Sequence, residues 1–138
     1  MSEITPYLLY EDVPGALDWL HEAFGFRERL RYEEPDGAVS HAEMTFGDGG
    51  LIMMGDPGGD YRSPKRHGQV SVLIHVYVED VDAHYQRARA AGATIVTEPT
   101  DQSYGDRRYD VSDLEGHRWS FAQASREVKP EEWGAVRA

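Results

Sequence analysis

One pattern occurs twice in this chain, and that repetition limits the fold more than any other feature. The strand-like run Thr5 to Tyr10 leads into Glu11-Asp12-Val13, and the run Val72 to Val78 leads into Glu79-Asp80-Val81, so that Val13 recurs as Val81, 68 positions on. Both runs are followed by helical periodicity. In the first helix Leu17, Leu20 and Phe24 make an apolar stripe with Trp19 and Ala23 beside them, and Gly25 supplies a left-handed stop. In the second, Asp82 suits an N-cap, Val81, Tyr85, Ala88 and Ala91 line one face, and Gly92 ends the helix. The same offset pairs Leu17 with Tyr85 and Leu20 with Ala88.

The match continues downstream with a small deletion. Strands over Phe26 to Tyr32, Val39 to Phe46 and Leu51 to Met54, separated by turns at Pro35-Asp36-Gly37 and Gly47-Asp48-Gly49-Gly50, complete the first half. Thr94 to Thr97, a long loop through Gly105, Arg107 to Ser112, the turn Asp113-Leu114-Glu115-Gly116 and His117 to Ala122 complete the second. Each half therefore reads strand, helix, strand, strand, strand. The expected organisation is a single domain of two repeats, 4–56 and 70–123, with a Pro/Gly-rich linker over 57–69 and a polar tail over 124–138. A half of some fifty residues buries too little surface to stand alone, so the halves should pack together. The fold class is α+β: two βαβββ modules forming a curved mixed sheet, helices outside, with a concave ligand cavity inside.

Composition narrows the chemistry. Zero Cys removes disulfides, thiolate nucleophiles and thiolate metal sites, so a metal would need His, Asp or Glu. The net charge of −11 opposes a phosphate backbone, and Lys65-Arg66-His67 and Arg107-Arg108 are too short to offset it, so nucleic acid is not the expected partner. A small molecule, if charged then cationic, fits better. The longest apolar runs fall short of the roughly 20 residues of a membrane helix, and Met1 to Pro6 lacks the basic-then-apolar order of a signal peptide. A cytoplasmic address without membrane contact is expected.

The paired modules, the opening Tyr7 to Leu20 continuing to Phe24-Gly25-Phe26, and the closing Tyr104-Gly105-Asp106-Arg107-Arg108-Tyr109 with Asp113 to Phe121 resemble the glyoxalase, bleomycin-resistance and extradiol-dioxygenase superfamily, the vicinal oxygen chelate proteins. The resemblance covers about residues 4 to 123 and implies the fold above and a homodimer. It leaves activity open among lyases, isomerases, dioxygenases and drug-sequestering proteins. In the superfamily's metal enzymes the ligands stand on the first and fourth strands of each half. Carried over, those positions read Thr5, Met54, Leu73 and Ser120, none an imidazole or carboxylate, so no metal and no other cofactor is expected.

Alternation places Tyr7, His41, Glu43, Met54, His75, Tyr77 and Ser120 on the concave side, with Arg107 and Tyr109 beside them and Tyr104 in the adjoining loop. The tyrosines and Met54 would stack on a planar ligand, and Glu43 would favour a cationic one. Each has a plainer reading as ordinary strand packing, as a solvated rim for His41 and Glu43, or as a hydrogen-bonded core residue for His75. The functional expectation is a metal-independent binder of an aromatic small molecule, cationic if charged, that resembles the drug-sequestering resistance proteins. The alternative is a metal-dependent lyase, isomerase or dioxygenase in which His41, Glu43 and His75 hold a divalent cation, with Glu43 and His75 as catalytic candidates.

Overall fold

The computed structural model describes residues 4–138, so Met1 to Glu3, part of the segment read for a leader, lie outside the described residues. The first module contains β1 (Tyr7–Leu9), α1 (Val13–Phe24), β2 (Arg27–Glu33), β3 (Val39–Phe46) and β4 (Gly50–Gly55). A short helix α2 (Pro64–His67) interrupts the linker. The second module contains β5 (Leu73–Tyr77), α3 (Val81–Ala90), β6 (Thr94–Asp101), β7 (Asp106–Ser112) and β8 (Arg118–Ala124), and a 3-10 turn, Pro130–Trp133, lies in the tail. Two four-stranded sheets form, ordered β1-β4-β3-β2 and β5-β8-β7-β6. In both, the first and last strands of the module pair in parallel and the remaining pairs are antiparallel. This is the α+β architecture of two βαβββ modules, and among the described residues no ladder joins the sheets.

Local chemistry sets the elements. The Asp12 carboxylate accepts the Gly15 N–H at 3.1 Å to cap α1, and Gly25 ends it at φ 85°. The cap of α3 is Asp80, which accepts from Ala83 N at 3.0 Å, and not Asp82 as the spacing suggested. Asp80 stands 68 positions after Asp12 and repeats its role; Asp82 instead binds Arg107 at 3.1 Å. Strand β6 runs through Pro99 to Asp101, further than expected. It is an edge strand whose pairing breaks between Thr97 and Thr100, where a missing N–H costs no ladder bond.

The helix-covered faces of both sheets share one core. Phe24 at the end of α1 packs on Trp119 and Phe121 of β8 at ring distances of 5.5 and 4.7 Å, and Phe26 meets Trp119 at 5.4 Å. From α3, His84 contacts the Phe24 carbonyl through Nε2 at 2.9 Å, and Arg87 donates to the Glu22 and His21 carbonyls at 2.8 and 2.7 Å. One helix thus donates to carbonyls of the last turn of the other. A second seam is polar: Tyr10 Oη donates to Asp113, and the Glu115 carboxylate accepts from the backbone of Glu11 and Asp12 at 2.6 and 2.9 Å.

The tail is tied to the β6–β7 loop. Ser125 N and Arg126 N donate to Gly105 O, and Trp133 packs on Tyr104 at 5.7 Å. Gly105 has φ 107°, and a Cβ there would stand 2.3 Å from the Arg126 carbonyl oxygen. Gly105→Ala is therefore expected to cost about 1–3 kcal/mol and to release the tail. A lower urea midpoint together with faster tryptic cleavage near Arg126 would register this; an unchanged cleavage rate would contradict the tie.

Candidate functional site

Because the covered faces share a core, the other face of each sheet lies bare on the far side from it, and ladder register decides which side chains stand there. On the first sheet Tyr7 pairs with Met53, Met53 with Glu43 and Glu43 with Leu30; Leu9 pairs with Gly55, Gly55 with His41 and His41 with Tyr32. Partners across a ladder point the same way, so Tyr7, Met53, Glu43, His41, Leu30 and Tyr32 share the bare face. Tyr7 and Tyr32 are 50% and 57% exposed. Tyr7 Oη lies 2.9 Å from His41 Nδ1, and His41 Nε2 lies 2.9 Å from Glu43. The Tyr7 ring reaches His41 across Gly55, where a Cβ would stand 2.7 Å from the phenol oxygen. Glu43 also accepts from Arg29 at 2.5 Å. His41 first, then Arg29, hold the Glu43 carboxyl below the usual range. Tyr7, His41 and Glu43 form a hydrogen-bonded chain able to pass a proton, but the Glu43 charge is already matched by Arg29.

On the second sheet Leu73, His75 and Tyr77 pair with Arg118, Ser120 and Ala122, and these pair with Ser112, Asp110 and Arg108. His75 Nδ1 lies 2.5 Å from Ser120 Oγ. Partial desolvation, with the Arg108 guanidinium adding to it, lowers the His75 pKa, so the ring is neutral near pH 7. Ser120 is fully buried, which leaves an electrophile no approach to its hydroxyl. The pair orients an imidazole and does not form a nucleophile with its base. Tyr77 Oη donates to Asp106 at 2.7 Å, which raises the phenol's pKa. Arg108 binds Asp110 at 2.9 Å and reaches the Tyr104 hydroxyl at 3.5 Å, which puts Tyr104 at the rim of this face.

Three residues expected on the concave side stand elsewhere. Met54 is fully buried on the covered face, in register with Leu8, and Met53 takes the bare position. The Gly49-Gly50 doublet gives the spacing two possible anchors, and a slip of one residue reverses a strand's faces. Tyr109 is fully buried beneath α3, in register with Phe121, with its hydroxyl 2.6 Å from His84 Nδ1. Arg107 lies on that covered side too and binds Asp82 and Asp101. Arg108 and Asp110 hold the bare positions that Arg107 and Tyr109 were assigned. Alternation carried the signal: Tyr109 and Val111 are the apolar pair of β7, and an apolar pair belongs on the covered side.

With the slip corrected, the positions of the resembled metal site read Thr5, Met53, Leu73 and Ser120. Hydroxyls, a thioether and an alkyl chain do not fit a hard divalent cation. His41 and Glu43 stand on one sheet and His75 on the other, and among the described residues no three His, Asp or Glu side chains converge to hold an ion. Two open clefts lie at the module seams, one of about 440 Å³ bounded by Tyr7, Leu9, Tyr61, Val70, Ile74 and His117, and one of about 710 Å³ beside Phe24, Arg27, Tyr77 and His84. No helix among the described residues is long and apolar enough to cross a membrane.

A family model described as the Glyoxalase/Bleomycin resistance protein/Dioxygenase superfamily matches residues 4–121. An uncharacterized protein of Mycobacterium bovis, Mb0911c, is 40% identical over 134 residues, covering 94% of this chain and 88% of its own. The crystal structure of TioX from Micromonospora sp. ML1 superposes with a TM-score of 0.74 at 40% identity, over 90% of this chain and 99% of that one. A glyoxalase-related enzyme from Clostridium phytofermentans superposes with a TM-score of 0.69 over 89% of this chain and 95% of that one, at 13% identity, a likeness of fold alone.

Proposed function

The chain belongs to the Glyoxalase/Bleomycin resistance protein/Dioxygenase superfamily, and from that premise we propose that it is a small-molecule binding protein of the sequestering kind, which captures a planar aromatic ligand without a metal and without chemistry. One observation carries the reading. The bare faces present exposed Tyr7, Tyr32 and Tyr77, while the family's metal positions read Thr5, Met53, Leu73 and Ser120. Flat phenol rings offer stacking surfaces at little entropic cost, and free ligand falls once the protein's concentration exceeds the dissociation constant. The cationic preference expected from Glu43 is weakened, because Arg29 and His41 already pair with that carboxylate. The partner is a second copy of this chain. Tyr7, Leu30 and Tyr32 on one face and Leu73 and Tyr77 on the other are large apolar side chains left open, and a second copy would cover them. The cytoplasm is the compartment this reading assigns.

The test is the metal content of protein purified without chelator, followed by thermal-shift titrations with Zn²⁺, Ni²⁺, Mn²⁺ and Fe²⁺ and with flat aromatic probes. No stoichiometric metal, no metal-dependent shift and a saturable shift with an aromatic probe are expected. Tyr7→Ala and Tyr77→Ala should each weaken that probe by roughly 2- to 10-fold. A stoichiometric metal lost in His75→Ala would overturn the reading in favour of the metal-dependent lyase or dioxygenase.

A further inference from the structure

Among the described residues one buried side-chain polar atom lacks a hydrogen-bond partner, and it is Nε of Arg118. Arg118 opens β8 on the bare face of the second sheet, half-buried between its ladder partners Ser112 and Leu73. The neighbouring charges are committed: Arg108 binds Asp110, and the Tyr77 phenol occupies Asp106. Among the described residues the Arg118 side chain has neither an ion pair nor a hydrogen bond, in a chain of net charge −11. An acidic protein that leaves a half-buried guanidinium unmatched holds a donor whose desolvation nothing on its own chain offsets. A guanidinium presents a planar fork that a carboxylate meets with two parallel hydrogen bonds.

We propose that Arg118 is an anion subsite of the bare face, and that the small molecule taken there is an aromatic carboxylate. This rests on the binding function proposed above and adds the charge of the ligand to it. Ser112, the ladder partner of Arg118 on β7, places a hydroxyl on the strand beside it. On the other side Leu73, 39% exposed, and His75 beyond it give an apolar and aromatic floor for the ring. Glu43, the carboxylate that would repel such a ligand, is paired and on the other sheet. The ligand's carboxylate would accept from the two terminal N–H groups of Arg118, since Nε itself is buried.

The experiment compares 2-naphthoate with 2-naphthol, the same ring system with and without the anionic group, by titration calorimetry on the full chain. Naphthoate is expected to bind more tightly than naphthol, and Arg118→Gln to weaken naphthoate by roughly 10- to 100-fold while leaving naphthol unchanged. Arg118→Lys should retain part of the preference, since it keeps the charge but loses the fork. Should Arg118→Gln fail to fold, the Arg118 Nε–H resonance of the wild-type protein gives the same answer, moving with naphthoate and not with naphthol. Equal affinities with no movement of that resonance would overturn the anion subsite and leave aromatic binding standing. Absence of binding by either probe would overturn both. If Arg118→Gln instead shifts only the monomer–dimer equilibrium, with naphthoate affinity intact, the guanidinium serves a carboxylate of the second copy and the proposal fails.

Discussion

Asp113→Ala is expected to lower the unfolding free energy by about 3–5 kcal/mol, enough to leave little of a domain of this size folded at 37 °C. Asp113 is buried in the turn between β7 and β8, and four donors converge on its carboxylate. Tyr10 Oη and Trp119 Nε1 reach Oδ2 at 2.7 and 3.0 Å, and the backbone N–H groups of Glu115 and His117 reach Oδ1, both at 3.0 Å. Alanine would strand all four, two of them on fully buried side chains. The loss extends beyond one turn, because Tyr10 belongs to the first module and the bond is one of the polar links between the modules. Urea unfolding should show the midpoint fall together with the loss of a single transition. Tyr10→Phe removes one donor with its acceptor still served by three others, so it should cost only about 1 kcal/mol. Equal effects from the two variants would refute the hub.

The second large effect is a pH dependence centred on His84. Burial, partly opposed by the Phe24 carbonyl, lowers its pKa from the ordinary 6.5 to about 4. The unfolded chain takes up this proton first as pH falls, so the contribution to stability is complete above pH 6.5, is lost between 6.5 and about 4, and changes no further below that. At 1.36 kcal/mol per tenfold change the loss amounts to about 3 kcal/mol. Glu115 runs the other way: burial raises its pKa, so its contribution is present at low pH and declines as pH rises through the folded value. The two are separated by variant. His84→Gln should flatten the slope of urea midpoint against pH between 4.5 and 6.5, whereas Glu115→Gln should steepen it. A slope unchanged in His84→Gln would show that the imidazole is solvated in the folded protein.

The helices, their stops and the repeat are legible in the sequence because each rests on residues a few positions apart. Gly25 ends the helix it follows, and the stripe of Leu17, Leu20 and Phe24 is visible within one window; the spacing misplaces the cap of α3 by two residues, since Asp80 and not Asp82 holds it. The bare face of β3 was legible for the same reason, since His41, Glu43 and Thr45 alternate with Ala42 and Met44, which are fully buried. Strand β4 was not, because Leu51-Ile52-Met53-Met54 is apolar throughout and offers no alternation to read. Among the candidate residues, Tyr7, His41, Glu43, His75, Tyr77 and Ser120 take bare-face positions, whereas Met54, Arg107 and Tyr109 do not.

What this sequence determines by itself is therefore the order and type of the elements within the two modules, the two-module plan and a net charge of −11, but not the short helix in the linker or the 3-10 turn in the tail. The tertiary structure alone decided which side of β4 and β7 meets the core. It also decided that His41 and Glu43 stand on a different sheet from His75, that the Glu43 charge is matched by Arg29, and that among the described residues the Arg118 side chain has no partner. The division has one physical cause. Caps and helical stripes are set by hydrogen bonds and contacts within a turn or two of chain, while ladder register and charge pairing are set by residues brought together from far apart in sequence, where a shift of one position exchanges the two faces of a strand.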